Sequence, residues 1–152
     1  YRRGVYMHWQ RTFLHPSLLA FDAPTREECT AERVVSNTPQ QALVLLNDPI
    51  FVEAARVFSE RIQRQGGKDF NSRLRFAFRL ALQREPAAAE TKIFASLFDR
   101  HLGLYRADPG AARALVATGD WPVADKLPAA EHAAWTSVTR VILNLHEALV
   151  RY

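Results

Sequence analysis

Residues 36–49, SNTPQQALVLLNDP, contain two helix start signals within one short apolar segment. Thr38 and Asp48 are capping residues, and each precedes a proline at the first helical position, where the missing N–H costs nothing. The second proline also disfavours the α region at the residue before it, so the first helix should end at Leu46 or Asn47. We interpret the segment as a structural corner where two helices meet, with three leucines on its buried side: Leu43, Leu45 and Leu46.

Carboxy-terminal to this corner, apolar spacing and start signals predict five more helices. They cover residues 49–66, 71–83, 86–105, 109–117 and 128–150, and residues 118–127 form a loop around Trp121. The helix over 49–66 should turn one apolar stripe to the core: Phe51, Ala54, Ala55, Phe58 and Ile62. The helix over 128–150 has the clearest stripe: Trp135, Val138, Ile142, Leu145 and Leu149.

The amino-terminal part of the chain has a different pattern. Residues 1–24 are irregular and aromatic, with a short extended segment predicted over residues 5–9. Thr25 and Glu28 form a capping box that predicts a short helix over residues 26–33. The sequence therefore predicts a mainly α-helical, single-domain array of about six or seven helices over residues 1–152, with an arm over 1–24 and a helical body over 25–152.

Composition narrows the class of protein. A hydrophobic fraction of 48% and a charged fraction of 24% are typical of soluble globular domains and argue against disorder. Because no run approaches the roughly 20 apolar residues of a spanning helix, we expect no membrane insertion. The chain begins on Tyr1 without a secretory signal and ends on Tyr152 without a polar tail, which favours the carboxy-terminal part of a longer protein.

The sequence shows no evident catalytic constellation. The scattered glycines form no phosphate-binding loop, and the histidines lack metal-ligand spacing. The single cysteine, Cys29, lies among acidic residues that disfavour a nucleophilic thiolate, so we expect a small buried side chain there. We therefore lean against an enzyme and expect neither a metal nor a cofactor in this chain.

One polar constellation around the arm is a candidate ligand or partner site. An arginine-rich and aromatic surface suits sugars, carboxylates or a partner protein. In the competing and favoured interpretation, Asp22 pairs with Arg26 or Arg33. The amides of Asn37, Gln40 and Gln41 then satisfy irregular backbone. The candidate residues are Asp22, Arg26, Arg33, Asn37, Gln41, Trp9 and Arg11.

A second candidate is a basic stripe between Arg56 and Arg84. Such a stripe could bind a polyanion, but its basic residues alternate with apolar ones, which favours solvated helix faces. We do not expect nucleic acid as a partner. The basic residues are Arg56, Arg61, Arg64, Lys68, Arg73, Arg75, Arg79 and Arg84.

Residues 21–56, FDAPTREECTAERVVSNTPQQALVLLNDPIFVEAAR, carry a family resemblance. They resemble the carboxy-terminal domain of unknown function in planctomycete-type secreted proteins that also carry a cytochrome-c-like module. Two positions depart from that pattern, Ser36, where threonine is common, and Ala87, where a capping hydroxyl often begins the next helix. The matching residues are Phe21, Asp22, Pro24, Arg26, Glu27, Cys29, Arg33, Asn37, Thr38, Pro39, Gln41, Ala42, Leu43, Leu46, Asn47, Asp48, Pro49, Glu53, Ala54, Ala55 and Arg56.

The resemblance implies an extracytoplasmic location and attachment to preceding domains. Our leading hypothesis is a non-catalytic accessory or interaction domain of a larger exported multidomain protein with a haem-containing module, whose aromatic arm docks on a preceding domain of the same polypeptide. The alternatives are a glycan-binding, small-ligand-binding or enzymatic unit that uses the Asp22 constellation, and polyanion binding by the basic stripe.

Overall fold

The computed structural model describes residues 8, 13–24, 29, 31–32, 36, 38–124 and 127–149. Within them the chain forms helices and no strand, which confirms the mainly α-helical class. The helices are α1 (Pro16–Ala20), α2 (Pro39–Asn47), α3 (Pro49–Gln65), α4 (Phe70–Leu82), α5 (Ala88–Ala107), α6 (Pro109–Val116), α7 (Ala129–Leu143) and α8 (His146–Leu149).

The chain divides into two compact units, residues 1–44 and residues 45–152. The described part of the amino-terminal unit contains α1, whose N-cap is His15 and whose first turn donates the Ser17 N–H to the His15 ring at 3.3 Å. The carboxy-terminal unit contains α3 to α8. The single domain predicted over residues 1–152 stays a prediction.

Aspartate caps begin three helices of the carboxy-terminal unit. The Asp48 side chain accepts the N–H of Ile50 at 2.9 Å, and the Asp108 side chain accepts the N–H of Ala111 at 2.9 Å. Both caps precede a proline, so the predicted cap-plus-proline signals are confirmed at these positions. A third cap, Asp69, begins α4 one residue earlier than the apolar pattern predicted.

Helix α7 is the central element of the carboxy-terminal unit and packs against α3, α4, α5 and α6. Residues 132–139 are all buried, as expected for a helix covered on every side. The Trp135 indole stacks on Phe70 with ring centroids 5.3 Å apart. The main core consists of Ile62, Leu74, Ala77, Phe78, Phe94, Trp135, Val138 and Ile142.

The continuous helix predicted over residues 128–150 is wrong, because α7 ends at Leu143. The N–H groups of Asn144 and Leu145 bond to carbonyls three residues back, at 3.1 and 3.2 Å, which tightens and terminates the turn. The chain then re-enters a short helix, α8. Leu149, predicted to continue the buried stripe, is 36% exposed.

The structure also corrects the amino-terminal predictions. Residues 16–20 form a helix inside the arm that was predicted to be irregular, and Cys29 is exposed instead of buried. The described residues of the predicted helix over 26–33, which are Cys29 and residues 31–32, are not helical. The other residues of that predicted helix, and the capping box of Thr25 and Glu28, lie outside the described residues. The predicted extended segment over 5–9 lies outside the described residues, apart from His8.

Two further expectations about helix faces and starts are wrong in part. Of the leucines in the structural corner, Leu45 is buried, whereas Leu43 is 58% exposed. Helix α5 begins at Ala88 although Ala87 has no capping hydroxyl. The carboxylate of Glu90 accepts the Ala87 N–H at 2.7 Å and supplies half of a capping box. In the described part of the chain, no helix has the length and apolar character that crossing a membrane requires.

Candidate functional site

Asp22 and Gln41, two residues of the predicted constellation, lie together in the amino-terminal unit. The Asp22 carboxylate accepts the backbone N–H of Ser36 at 2.8 Å and the Ser36 hydroxyl at 2.7 Å. The Gln41 side-chain amide donates to Asp22 at 3.4 Å. These bonds, with the Ser36 hydroxyl first, hold the pKa of Asp22 below its ordinary value. The carboxylate therefore stays ionised at neutral pH, and both of its oxygens accept from Ser36.

Gln41 also completes the start of α2. Its side-chain oxygen accepts the Thr38 N–H at 3.3 Å, and its own N–H donates to the Thr38 hydroxyl at 3.4 Å. This reciprocal pair is a capping box with glutamine in the third helical position. Because Gln41 is buried and bonded at both ends of its amide, it acts as a structural residue.

The remaining candidates of this constellation lie outside the described residues. The favoured interpretation, that Asp22 pairs with Arg26 or Arg33, falls on residues outside the described part of the chain and stays a prediction. Among the described residues, Ser36 and Gln41 donate hydrogen bonds to Asp22. Asp22 itself has a left-handed backbone with φ of 56°, which aspartate tolerates. The candidates that are not described are Trp9, Arg11, Arg26, Arg33 and Asn37.

The most unusual polar feature of the carboxy-terminal unit is a cluster that the sequence did not predict. We call it the buried charge cluster; none of its four side chains is more than 8% exposed. Three members lie three and four residues apart on one face of α3, and the fourth comes from α7. The members are Glu53, Arg56, Glu60 and His132.

Because these charged side chains are buried, the buried face of α3 differs from the predicted apolar stripe. Ile62 and Ala55 are buried as predicted, but Ala54 is exposed while Arg56 is completely covered. The hydroxyl of Thr139 on α7 donates to the Ala55 carbonyl at 2.9 Å, so the two helices also meet through polar groups. Burial of charged groups is tolerated only when they are paired and hydrogen-bonded.

Arg56 meets that condition through four contacts. Its guanidinium donates to Glu60 at 2.8 Å and lies 3.9 Å from Glu53. It also donates to two backbone carbonyls of the loop before α7, Trp121 at 2.6 Å and Pro122 at 3.3 Å. The guanidinium thus joins α3 to a loop more than sixty residues away.

Glu53 holds the same loop from its other side. Its carboxylate accepts the N–H of Asp120 at 3.0 Å and the N–H of Trp121 at 2.7 Å. Gly119 comes so close that a Cβ built on it would lie 2.0 Å from the Glu53 Oε2 atom, and its φ of +93° favours glycine. Only glycine at 119 therefore lets the loop reach the carboxylate.

His132 completes the buried charge cluster without carrying a charge. Its Nε2 atom lies 3.4 Å from the Arg56 carbonyl and 3.8 Å from Glu60. Burial lowers the pKa of His132, and this effect outweighs the neighbouring carboxylate. At neutral pH the ring is therefore neutral and can donate its Nε2 proton to the carbonyl.

The geometry of the buried charge cluster suits stabilisation of the fold and not proton transfer to a substrate. A general acid or base must reach the group on which it acts, and these four side chains are covered by α3, α7 and the loop. A sequence signal existed in retrospect, because Glu53, Arg56 and Glu60 have the spacing of intrahelical ion pairs. Such pairs are normally exposed, so the pattern alone did not indicate burial.

Ion pairs also account for part of the predicted basic stripe. Arg73 donates to Glu131 at 2.6 Å, and Arg79 pairs with Glu85. Arg84 pairs with both Glu90 and Glu147, at 2.7 Å each, which ties α5 and α8 to the end of α4. The exposed basic residues of the stripe are Arg61, Arg64, Lys68, Arg75 and Arg79. These internal pairs reduce the positive field that a polyanion would meet.

Comparison with known proteins identifies a family. The chain matches no curated protein and no solved structure. Among the described residues, no three histidine, cysteine, aspartate or glutamate side chains are grouped to hold a metal ion. A family model described as PSD1, protein of unknown function (DUF1553), matches residues 1–98, which include the Asp22 network and the α3 part of the buried charge cluster. The chain belongs to the DUF1553 (PSD1) family of proteins of unknown function.

Proposed function

We propose that this chain is a non-catalytic accessory domain of a larger exported protein, and that its amino-terminal unit docks on a preceding domain of the same polypeptide. The observation that carries the proposal is the exposure of large apolar side chains in that unit. Phe13 is 69% exposed and Leu19, on α1, is 51% exposed. Exposed apolar side chains close together in sequence are typical of a surface that another protein covers.

The backbone around these side chains supports a docking surface. Leu14, next to Phe13, is buried and anchors the segment. Pro16 and the His15 cap begin α1, and the α1 carbonyls accept the N–H groups that follow it. Phe13 and Leu19 therefore stand on an ordered segment, which lowers the entropy lost when a partner orders them.

The proposal that the domain is non-catalytic rests on the hydrogen bonds that its polar groups make within the fold. The carboxylate of Asp22 and the amide of Gln41 bond each other and their own backbone, and the buried charge cluster is covered. These groups are engaged in stabilising the fold, which leaves the Asp22 constellation with less support as a ligand or glycan site. The resemblance to secreted multidomain proteins supports the proposed export and the proposed association with a haem-containing module, in which another domain would hold the haem.

Hydrogen exchange on the protein encoded by the full open reading frame tests the proposal. Residues 13–24 should exchange more slowly in that protein than in residues 1–152 alone, because a preceding domain covers them. A Phe13→Ser/Leu19→Ser double variant should lose this protection. A matched Ile93→Ser/Leu104→Ser double variant, at two exposed apolar residues of α5, should keep it.

Two results would contradict the proposal. The first is equal exchange of residues 13–24 in the full protein and in residues 1–152. The second is equal loss of protection in both double variants, which would reflect general destabilisation. Mass spectrometry of the same secreted protein checks the wider context, since it reports cleavage of a signal peptide and covalently bound haem.

A further inference from the structure

We propose that His132 is a pH-sensitive switch for the loop over residues 118–123, and that a proton added to its ring releases this loop from α3 while the helices stay folded. The ring lies on α7 and is only 1% exposed. It belongs to the carboxy-terminal unit, so this inference goes beyond the docking proposed for residues 13–19 and does not depend on it.

A chain of contacts joins the ring to the loop. The His132 Nε2 atom lies 3.8 Å from Oε1 of Glu60, and the same oxygen accepts a guanidinium N–H of Arg56 at 2.8 Å. That guanidinium also donates to the carbonyls of Trp121 and Pro122, at 2.6 and 3.3 Å. The imidazole and the guanidinium therefore share one carboxylate oxygen, and the guanidinium holds the loop.

A positive charge on the ring disturbs this arrangement. An imidazolium attracts the Glu60 oxygen that Arg56 binds, and it repels the guanidinium itself. Both effects are strong in a buried site, because the local dielectric constant there is lower than that of water. Burial is also the main reason why the pKa of His132 lies below its ordinary value, so the ring takes up a proton more readily once water reaches it.

The loop is the part of the structure that yields, because α3 and α7 are joined independently of the ring. The hydroxyls of Ser59 and Thr136 lie 3.2 Å apart, and the Thr139 hydroxyl donates to the Ala55 carbonyl at 2.9 Å. The loop, in contrast, is bonded to α3 through the side chains of two residues of the buried charge cluster. An irregular segment held in this way opens at a lower free energy than a packed helix.

Charged residues act on the ring from more than one helix. On α3, Glu60 favours the charged ring, whereas Arg56 and Arg64 disfavour it. On α7, the neighbouring Glu131 is paired with Arg73 of α4, and the buried residues that α6 packs against α7 are apolar.

The range between pH 5.5 and 7.5 separates the ring from the other charged groups. Histidine ordinarily titrates within this range, whereas carboxylates and lysine titrate outside it. The second class includes Asp120 of the loop, and also Asp125 and Lys126, which lie outside the described residues. We therefore assign a change of charge over this range to histidine.

Amide hydrogen exchange of residues 1–152 at pH 7.5 and pH 5.5 tests the inference. Rates are compared as protection factors, which remove the pH dependence of exchange in an unstructured peptide. At the lower pH, the protection factors of Asp120 and Trp121 should fall several-fold relative to those of Ala77 and Phe78, which are buried in α4. The upper limit is about 10-fold for one ring that ordinarily titrates near pH 6.5. A fall in the loop no larger than that in α4 would overturn the inference.

Two variants distinguish His132 from other histidines. His132→Gln should abolish the response of the loop, because an amide stays neutral at both pH values. His101→Gln should keep the response, although burial also lowers the pKa of this histidine on α5. An unchanged response in His132→Gln, or a loss of the response in both variants, would overturn the inference.

A titration of the ring in the unmodified chain does not depend on the folding of a variant. The ¹³Cε1 NMR signal of His132 should titrate at a lower pH than that of an unstructured histidine peptide, and the protection of the loop amides should fall over the same pH range. A ring that gains its charge beneath a loop that stays protected would overturn the inference.

Discussion

Replacing Arg56 with methionine is the sharpest test of the buried charge cluster. Methionine has a similar length but no charge, so Arg56→Met removes the guanidinium that faces the buried carboxylates of Glu53 and Glu60. Breaking a buried pair in this way costs about 3–5 kcal/mol. Three hydrogen bonds of the guanidinium, at 2.6, 2.8 and 3.3 Å, disappear together, which is consistent with a loss of that size. At about 2–4 °C per kcal/mol for a chain of this length, the melting temperature should fall by about 6–20 °C.

The assay is urea unfolding followed by circular dichroism for Arg56→Met and for the double variant Arg56→Met/Glu60→Gln. The double variant also replaces the Glu60 carboxylate with a neutral amide, so it should be more stable than the single variant, although it carries one more substitution. An Arg61→Met variant, at an exposed arginine on the same helix, should change stability by less than about 1 kcal/mol. If Arg56→Met were no more destabilising than Arg61→Met, the cluster would not be the support that we infer.

Three further predictions concern the loop and two titratable groups. Gly119→Ala should lower the free energy of unfolding by roughly 2–4 kcal/mol, because the φ of +93° and the adjacent Glu53 carboxylate exclude a Cβ. Gly103→Ala, where a Cβ meets nothing within 4 Å, should leave the free energy of unfolding unchanged or raise it by up to about 1 kcal/mol. Equal effects of the two substitutions would contradict this explanation. Since burial lowers the pKa of His132, the unfolded chain gains a proton first as the pH falls below about 6.5, and urea unfolding should show stability decreasing there. A fall of unchanged slope in His132→Gln would assign the effect to other groups. The Arg84 guanidinium lowers the pKa of Glu90 to about 2. Glu90→Gln should therefore lower the free energy of unfolding by roughly 1–2 kcal/mol at pH 7, after allowing for solvent screening. Thermal melts should show this loss disappearing as the pH falls from about 4.5 to 2. A cost that stays constant over that range would contradict the assignment.

Local chemistry made much of the fold predictable from the sequence. A cap followed by proline depends on neighbouring residues alone, and the starts of α3 and α6 follow Asp48 and Asp108 as expected. The buried stripe of α7 was predictable for the same reason, since Trp135, Val138 and Ile142 recur at helical spacing and fill the core. The spacing could not indicate where α7 ends, because the tightened turn at residues 144–145 depends on how the chain packs beyond it.

The candidate site was harder to predict because it depends on contacts distant in sequence. Hydrophobic periodicity assigns arginine and glutamate to the solvent side of a helix, whereas Arg56 is buried by a loop that ends beyond residue 120. The capping role of Thr38 was predictable, and Gln41 was both a candidate ligand residue and, in the favoured interpretation, a residue that satisfies irregular backbone, as its bond to the Thr38 N–H shows. The amide of Gln41 satisfies both the start of α2 and the carboxylate of Asp22, and the second contact cannot be read from spacing.

Amide hydrogen exchange at Asp120 and Trp121 in the unmodified chain tests the central claim most directly. The claim is that buried Glu53 and Arg56 fix the loop and present the exposed indole of Trp121. Loop amides usually exchange rapidly, but we predict that these two exchange as slowly as amides of α3, because they donate to Glu53 at 3.0 and 2.7 Å. Exchange of both amides at the rate of an unstructured peptide would contradict the claim.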